Sequence, residues 1–220
     1  MIKALLFDMD GLIFDSEHIY KAAWQYAAKE QGLDLTDDVY QHFIGTQDPE
    51  CERLLEAEFG DKLDLERYRS VCKQELRNQR AVGVVYKMGF DRLFATLKKH
   101  GLKCALVTSS HRPEVEHHFK HSDYLNQFDA IVTAEDIEHG KPQPDCYLRA
   151  TQLLAIEPKH CLVLEDSNNG MQSGLDAGCM AAMVPDILPP REDIAARATH
   201  IFDSLFDVIP LVESEHEATC

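Results

Sequence analysis

Asp8 and Asp10 stand two residues apart, directly beyond the run Ile2-Lys3-Ala4-Leu5-Leu6. Side chains two apart on a strand point to the same side, so both carboxylates would emerge together at its carboxyl end. Two like charges that close raise one pKa or recruit a cation, and hard oxygen ligands with room for water suit Mg²⁺. An Asp-x-Asp after a strand is also ordinary turn chemistry, because Asp bonds its own backbone. Three later segments tip the balance, each at the end of or beyond an apolar run: Thr108-Ser109-Ser110, Lys141, and Glu165-Asp166. Taken singly they are bland, reading as a helix-cap cluster, a surface lysine in a rigid Lys-Pro-x-Pro loop, and an acidic turn. In order, they supply the hydroxyl, ammonium and carboxylate groups that phosphoryl transfer needs.

Asp8-Met9-Asp10-Gly11, Thr108-Ser109-Ser110, Lys141-Pro142-Gln143-Pro144 and Glu165-Asp166-Ser167-Asn168-Asn169-Gly170 resemble the four ordered motifs of the haloacid dehalogenase-like (HAD) phosphohydrolases. The resemblance runs from Ile2 to about Leu211 and is nearest to the sugar-phosphate phosphatase and beta-phosphoglucomutase-like branch. Pseudouridine-5'-phosphatase-like proteins are especially similar around Met183-Val184-Pro185-Asp186. It implies an α/β fold, a Rossmann-like doubly wound parallel sheet with an all-helical cap inserted after the first strand. It also implies that Asp8 attacks phosphorus while Asp10 protonates the leaving oxygen and later activates water. Thr108, the Ser109 N–H and Lys141 would hold the phosphate. Mg²⁺ would be bound by the Asp8 and Asp166 side chains and the Asp10 carbonyl, with Glu165 either a ligand or a support for the ligands.

The implied reaction is Mg²⁺-dependent hydrolysis of a small phosphorylated metabolite, a sugar phosphate or a nucleotide-derived monophosphate. The alternative is a sugar-phosphate mutase. Mutases of this type carry a His in the first cap helix, where this chain has Tyr20, and an Arg in the cap loop, where Gly45-Thr46-Gln47-Asp48 offers an acid. Dehalogenation is disfavoured by Asp10, since a halide needs no proton. A non-catalytic phospho-Asp signalling module also combines acids, a Thr and a Lys, but lacks the second Asp and the helical insert.

The elements that must position these residues follow from periodicity. Apolar strands are expected at 2–6, 103–107, 130–132, 161–164, 181–184 and 200–202, separated by helices, which means a parallel sheet covered on both faces. Ligands bind beyond the carboxyl ends of such strands. Residues 16–80 read as helices only, opened by Asp15-Ser16, Thr36, Asp48-Pro49 and Asp64, so the core is assigned to 1–15 and 81–220 and the cap to 16–80. Ile19, Ala22, Ala23, Tyr26 and Ala27 are the expected inner face of the first helix, with Trp24 as packing. The residues from Glu213 to Cys220 are expected to fray.

Composition narrows the class. With 220 residues, 45% hydrophobic and 27% charged, the chain suits a soluble globular protein, and no apolar stretch reaches the roughly 20 residues that span a bilayer. A formal charge of −16 argues against a nucleic-acid partner and leaves one metal ion and Lys141 to attract an anionic substrate. Seven scattered cysteines at no metal or redox spacing fit reduced thiols in the cytoplasm, with Cys104, Cys161 and Cys179 expected in strands. His117, His118 and His121 share a helix face without a carboxylate to complete a ligand set and are expected on a solvated surface. A monomer without membrane association is expected.

Overall fold

The structure is a computed structural model that describes residues 1–43, 48–81 and 85–217. Its sheet has six parallel strands, β1 (Ala4–Phe7), β2 (Lys103–Val107), β3 (Ala130–Val132), β4 (Cys161–Glu165), β5 (Met180–Met183) and β6 (His200–Ile201), in the order β3-β2-β1-β4-β5-β6. The strand order reverses beside β1, which pairs with β2 on one edge and β4 on the other. Phe7 lies opposite Leu106 and Leu164 in register, so Asp8, the residue after β1, is level with the last residues of β2 and β4, Val107 and Glu165.

Strands buried along their whole length need cover on both faces. Leu6, Ala105, Val107 and Val163 face one layer, completed by Tyr147 and Ala150 of α7 (Asp145–Leu154) and Met171 of α8 (Asn168–Asp176). Phe7, one residue on, points the other way into Phe90 and Phe94 of α5 (Phe90–Lys99) and Phe128, with ring centroids 6.1–6.5 Å apart. Burying an aromatic or aliphatic side chain of this size contributes about 1.5–3 kcal/mol, and these two layers hold the strand ends rigidly. The remaining core helices are α6 (Arg112–Phe119), α9 (Glu192–Arg197) and α10 (Val208–Glu217). α10, anchored by the buried Val208, Ile209 and Val212, continues to Glu217, so residues 213–217 are helical where fraying is expected, and residues 218–220 of that stretch lie outside the described residues. Cys104 and Cys161 lie in strands, but Cys179 sits one residue before β5, and all three are buried free thiols.

The chain divides into two compact units, Met1–Phe14 with Tyr86–Cys220, and Asp15–Val85. The second contains α1 (Glu17–Lys29), α2 (Asp37–Tyr40), α3 (Asp48–Phe59) and α4 (Leu65–Ala81). Thr36 caps α2 by accepting the Val39 N–H, and Asp64 accepts the Arg67 N–H at the start of α4. Ser16 makes no such side-chain bond at α1. The buried face of α1 is Ile19, Ala23, Ala27 and Ala28, while Ala22 and Tyr26 are exposed. Trp24 packs on Phe43 and Tyr68, whose hydroxyl donates to the Trp24 carbonyl at 2.8 Å. The cap loop Gly45-Thr46-Gln47 lies outside the described residues. Among the described residues no helix is long and apolar enough to cross a membrane.

Candidate active site

Sheet register places the site. Asp8 follows β1 and donates its N–H to the Leu164 carbonyl at 3.1 Å, and Thr108 follows β2 and donates to Val132 at 3.0 Å. Each strand thus extends its ladder by one residue before turning away. The chain then tightens after β1, where Ile13 and Phe14 both donate to the Met9 carbonyl. Gly11 takes φ +84°, and a Cβ there would fall 2.1 Å from Asp166 Oδ2. Only glycine satisfies both the dihedral and the approach of that carboxylate.

Asp8, Glu165 and Asp166 present carboxylate oxygens that all lie within 4.8 Å of one another, and all three residues are buried. Lys141, from the loop between β3 and α7, brings its ammonium between two of them. It donates to Asp8 Oδ1, to Glu165 Oε1 at 2.6 Å and to the Val107 carbonyl at 3.3 Å. Three acids against one base is an uncompensated arrangement in a dry site. Burial first, and then the neighbouring Glu165, push the Asp8 pKa well above the ordinary carboxylate range, with Lys141 opposing them. For Lys141, burial pulls downward, but the carboxylates of Asp8 and Glu165 overcome it and hold the ammonium above its ordinary value. A cation among these oxygens would relieve the imbalance.

Glu165 is held by several donors. Besides Lys141, the Tyr147 hydroxyl donates to Oε1 at 2.7 Å and the Ser167 hydroxyl to Oε2 at 3.1 Å. Ser167 Oγ also accepts the Gly170 N–H, capping α8. The side chain of Asp10 is not in the group of three acids. Its Oδ2 accepts from the Ser110 hydroxyl at 2.8 Å, and its Oδ1 faces His118 Nε2 at 3.8 Å. Thr108 is buried, with its Oγ1 accepting the Ser110 N–H at 3.0 Å, whereas Ser109 is exposed.

The structure therefore gathers Asp8, Lys141, Glu165 and Asp166 and sets Asp10 and Thr108 beside them through Ser110. Of the histidines expected on a solvated face, His117 and His121 are exposed, and only His118 departs from that expectation. His118 is buried and packs on Phe14 with centroids 5.1 Å apart, and His121 lies beyond the end of α6. Ser110, Ser167 and Gly170 fall inside the recognised motifs but carried no assignment. Tyr147 and His118 had no local signal, since each acquires its contact only when α7 and α6 pack on the sheet.

The chain is similar to known proteins over most of its length. The family described as haloacid dehalogenase-like hydrolase matches residues 5–184. Hexitol phosphatase A of Escherichia coli is 33% identical over 178 residues, covering 80% of each chain. Beta-phosphoglucomutase of Bacillus subtilis is 28% identical over 195 residues, covering 83% of each. The crystal structure of a beta-phosphoglucomutase from Clostridium difficile superposes with a TM-score of 0.79 at 20% identity, covering 100% of this chain and 99% of that one, a likeness of fold. The chain belongs to the haloacid dehalogenase-like hydrolases and is a phosphoric monoester hydrolase among them.

Proposed function

We propose that the chain hydrolyses small phosphorylated metabolites, sugar phosphates or nucleotide-derived monophosphates, with Asp8 as nucleophile and Mg²⁺ as its metal. The observation that carries this reading is the buried convergence of Asp8, Glu165 and Asp166, with Lys141 paired to the first two. An Asp8 oxygen attacks phosphorus as the bond to the leaving oxygen breaks, and Asp10 gives that oxygen a proton. Water then attacks the aspartyl-phosphate, Asp10 takes its proton, and Asp8 and inorganic phosphate are released. Thr108, the Ser109 N–H and Lys141 bind the phosphoryl oxygens, and Lys141 offsets the charge that gathers there.

The donor set fits Mg²⁺, being oxygens only and crowded by like charge. The Asp8 and Asp166 side chains and the Asp10 carbonyl would hold it. When bound, the ion supplies charge stabilisation to the transferring phosphoryl group. Glu165 is better suited to support than to ligation, because both of its oxygens are taken by protein donors. Its work is to orient Lys141.

The test is a panel of metabolite phosphates with Mg²⁺ and released phosphate as readout, run beside Asp8→Asn. Turnover of at least one small phosphate ester that the variant cannot perform is expected; equal turnover by the variant would remove Asp8 from its role. A second reading, sugar-phosphate mutase, is supported by the Bacillus subtilis relative. Isomerisation of glucose 1-phosphate without phosphate release would select it.

A further inference from the structure

Among the described residues, His118 is a buried polar group beside the site that this mechanism leaves unused. Its side chain is fully buried, and its Nε2 has no hydrogen-bond partner. Buried polar atoms in native proteins are nearly always satisfied, so the exception requires an explanation. The ring is fixed from two directions. Nδ1 lies 2.8 Å from the Glu114 carbonyl, and the ring packs on Phe14 at 58° between planes. A carbonyl can only accept, so Nδ1 carries a hydrogen and Nε2 is the atom presented to Asp10.

Asp10 is thereby bracketed. Ser110 donates to Oδ2 at 2.8 Å, while His118 Nε2 stands 3.8 Å from Oδ1. Phe14, under the imidazole, also bridges to Asp10 along the backbone. One histidine thus lies against both ends of the tight loop that carries the acid, Asp10 on one side and Phe14 on the other.

We infer that His118 is a positioning residue for Asp10, setting the carboxylate plane from which the leaving oxygen receives its proton. This rests on the reading of Asp10 as the acid and base of the reaction. A residue of this kind acts through proton delivery, so its loss is felt where the leaving group needs a proton and not where it departs as a stable anion.

The experiment compares kcat/KM of the full chain with Mg²⁺ on 4-nitrophenyl phosphate and on phenyl phosphate, whose leaving group is far more basic. That ratio reports the phosphoryl-transfer step. His118→Phe keeps a ring against Phe14 and deletes the nitrogen. The expected result is a loss of about 10-fold on phenyl phosphate against less than about 2-fold on 4-nitrophenyl phosphate, with folding checked by circular dichroism. Equal losses on both substrates, or none on either, overturn the inference. If the Phe variant does not fold, His118→Leu carries the same comparison. Asp10→Asn is the control that separates the two levels. A leaving-group-dependent loss in Asp10→Asn without one in His118→Phe removes the role of His118 alone, whereas its absence from Asp10→Asn removes the reading of Asp10 itself.

Discussion

Gly170 and Glu165 share one space: a methyl group on the Gly170 Cα would stand 1.9 Å from the Glu165 carboxyl carbon and from Oε1. Neither backbone nor a flexible chain end is available to yield, because that carboxylate is also gripped by Lys141, Tyr147 and Ser167. Gly170→Ala is therefore expected to destabilise the fold by about 1–3 kcal/mol. It should also reduce turnover by ~10²-fold by moving Glu165 and, with it, Lys141. Urea unfolding and phosphate release measure the two effects, and an unchanged value of both would contradict the packing described.

Tyr147 gives a milder perturbation of the same carboxylate. Tyr147→Phe removes a hydrogen bond to a charged acceptor and leaves the ring in place, for a loss of about 1.5–3 kcal/mol. Lys141→Met leaves Asp8 and Glu165 without their shared counter-charge and is expected to cost about 3–5 kcal/mol in the metal-free chain. Reversal of that order in denaturant titrations would show that Glu165 is held mainly by its neutral partners.

Asp8 should trade stability for chemistry. Its pKa is raised in the fold by burial and by Glu165, so the folded chain binds the proton more tightly than the unfolded one. The stability it contributes is then full at low pH and is lost as pH rises from the ordinary value near 3.8 through the raised one. Asp8→Asn has no such loss. In chelator its melting temperature should exceed that of the parent chain at pH 8 and converge with it towards pH 4, while phosphate release disappears. A variant less stable than the parent at pH 8 would mean that the Lys141 pair outweighs the other influences.

Chelation should stop turnover and Mg²⁺ should restore it. Gly11→Ala forces a Cβ to within 2.1 Å of Asp166 Oδ2 at φ +84°, so the displaced carboxylate should raise the Mg²⁺ concentration for half-maximal activity by about 10–100-fold. An identical Mg²⁺ curve for both chains would exclude Asp166 from the metal site.

Positions that depend on a strand end could be read from the chain, and positions that depend on packing could not. Lys103–Val107 and Ala130–Val132 stand where the apolar runs placed them, because an apolar run with an abrupt polar end has few other solutions in a parallel sheet. Asp8, Thr108 and Glu165 follow directly from those ends. α9 went unread, since its six residues bury only Ile194. The helical state of 213–217 is hidden in the sequence because these residues are all polar and their apolar anchors, Val208, Ile209 and Val212, precede them. His118 shows the limit most clearly. Among several histidines it has no distinguishing neighbour in sequence, and its burial is decided by Phe14 and Asp10, which lie in a loop formed much earlier in the chain.

The Asp15 N–H donates to the Val85 carbonyl at 2.9 Å, and one step further in, Lys87 donates to Ile13 at 2.8 Å. The inserted segment thus departs and returns through the same doorway, closed by ordinary strand-like bonds. Loop-closure entropy grows only slowly with length, so a longer, shorter or unrelated segment could be spliced at that threshold at small thermodynamic cost to the sheet. Such a junction lets whole segments be exchanged while the acids beyond the strands stay untouched.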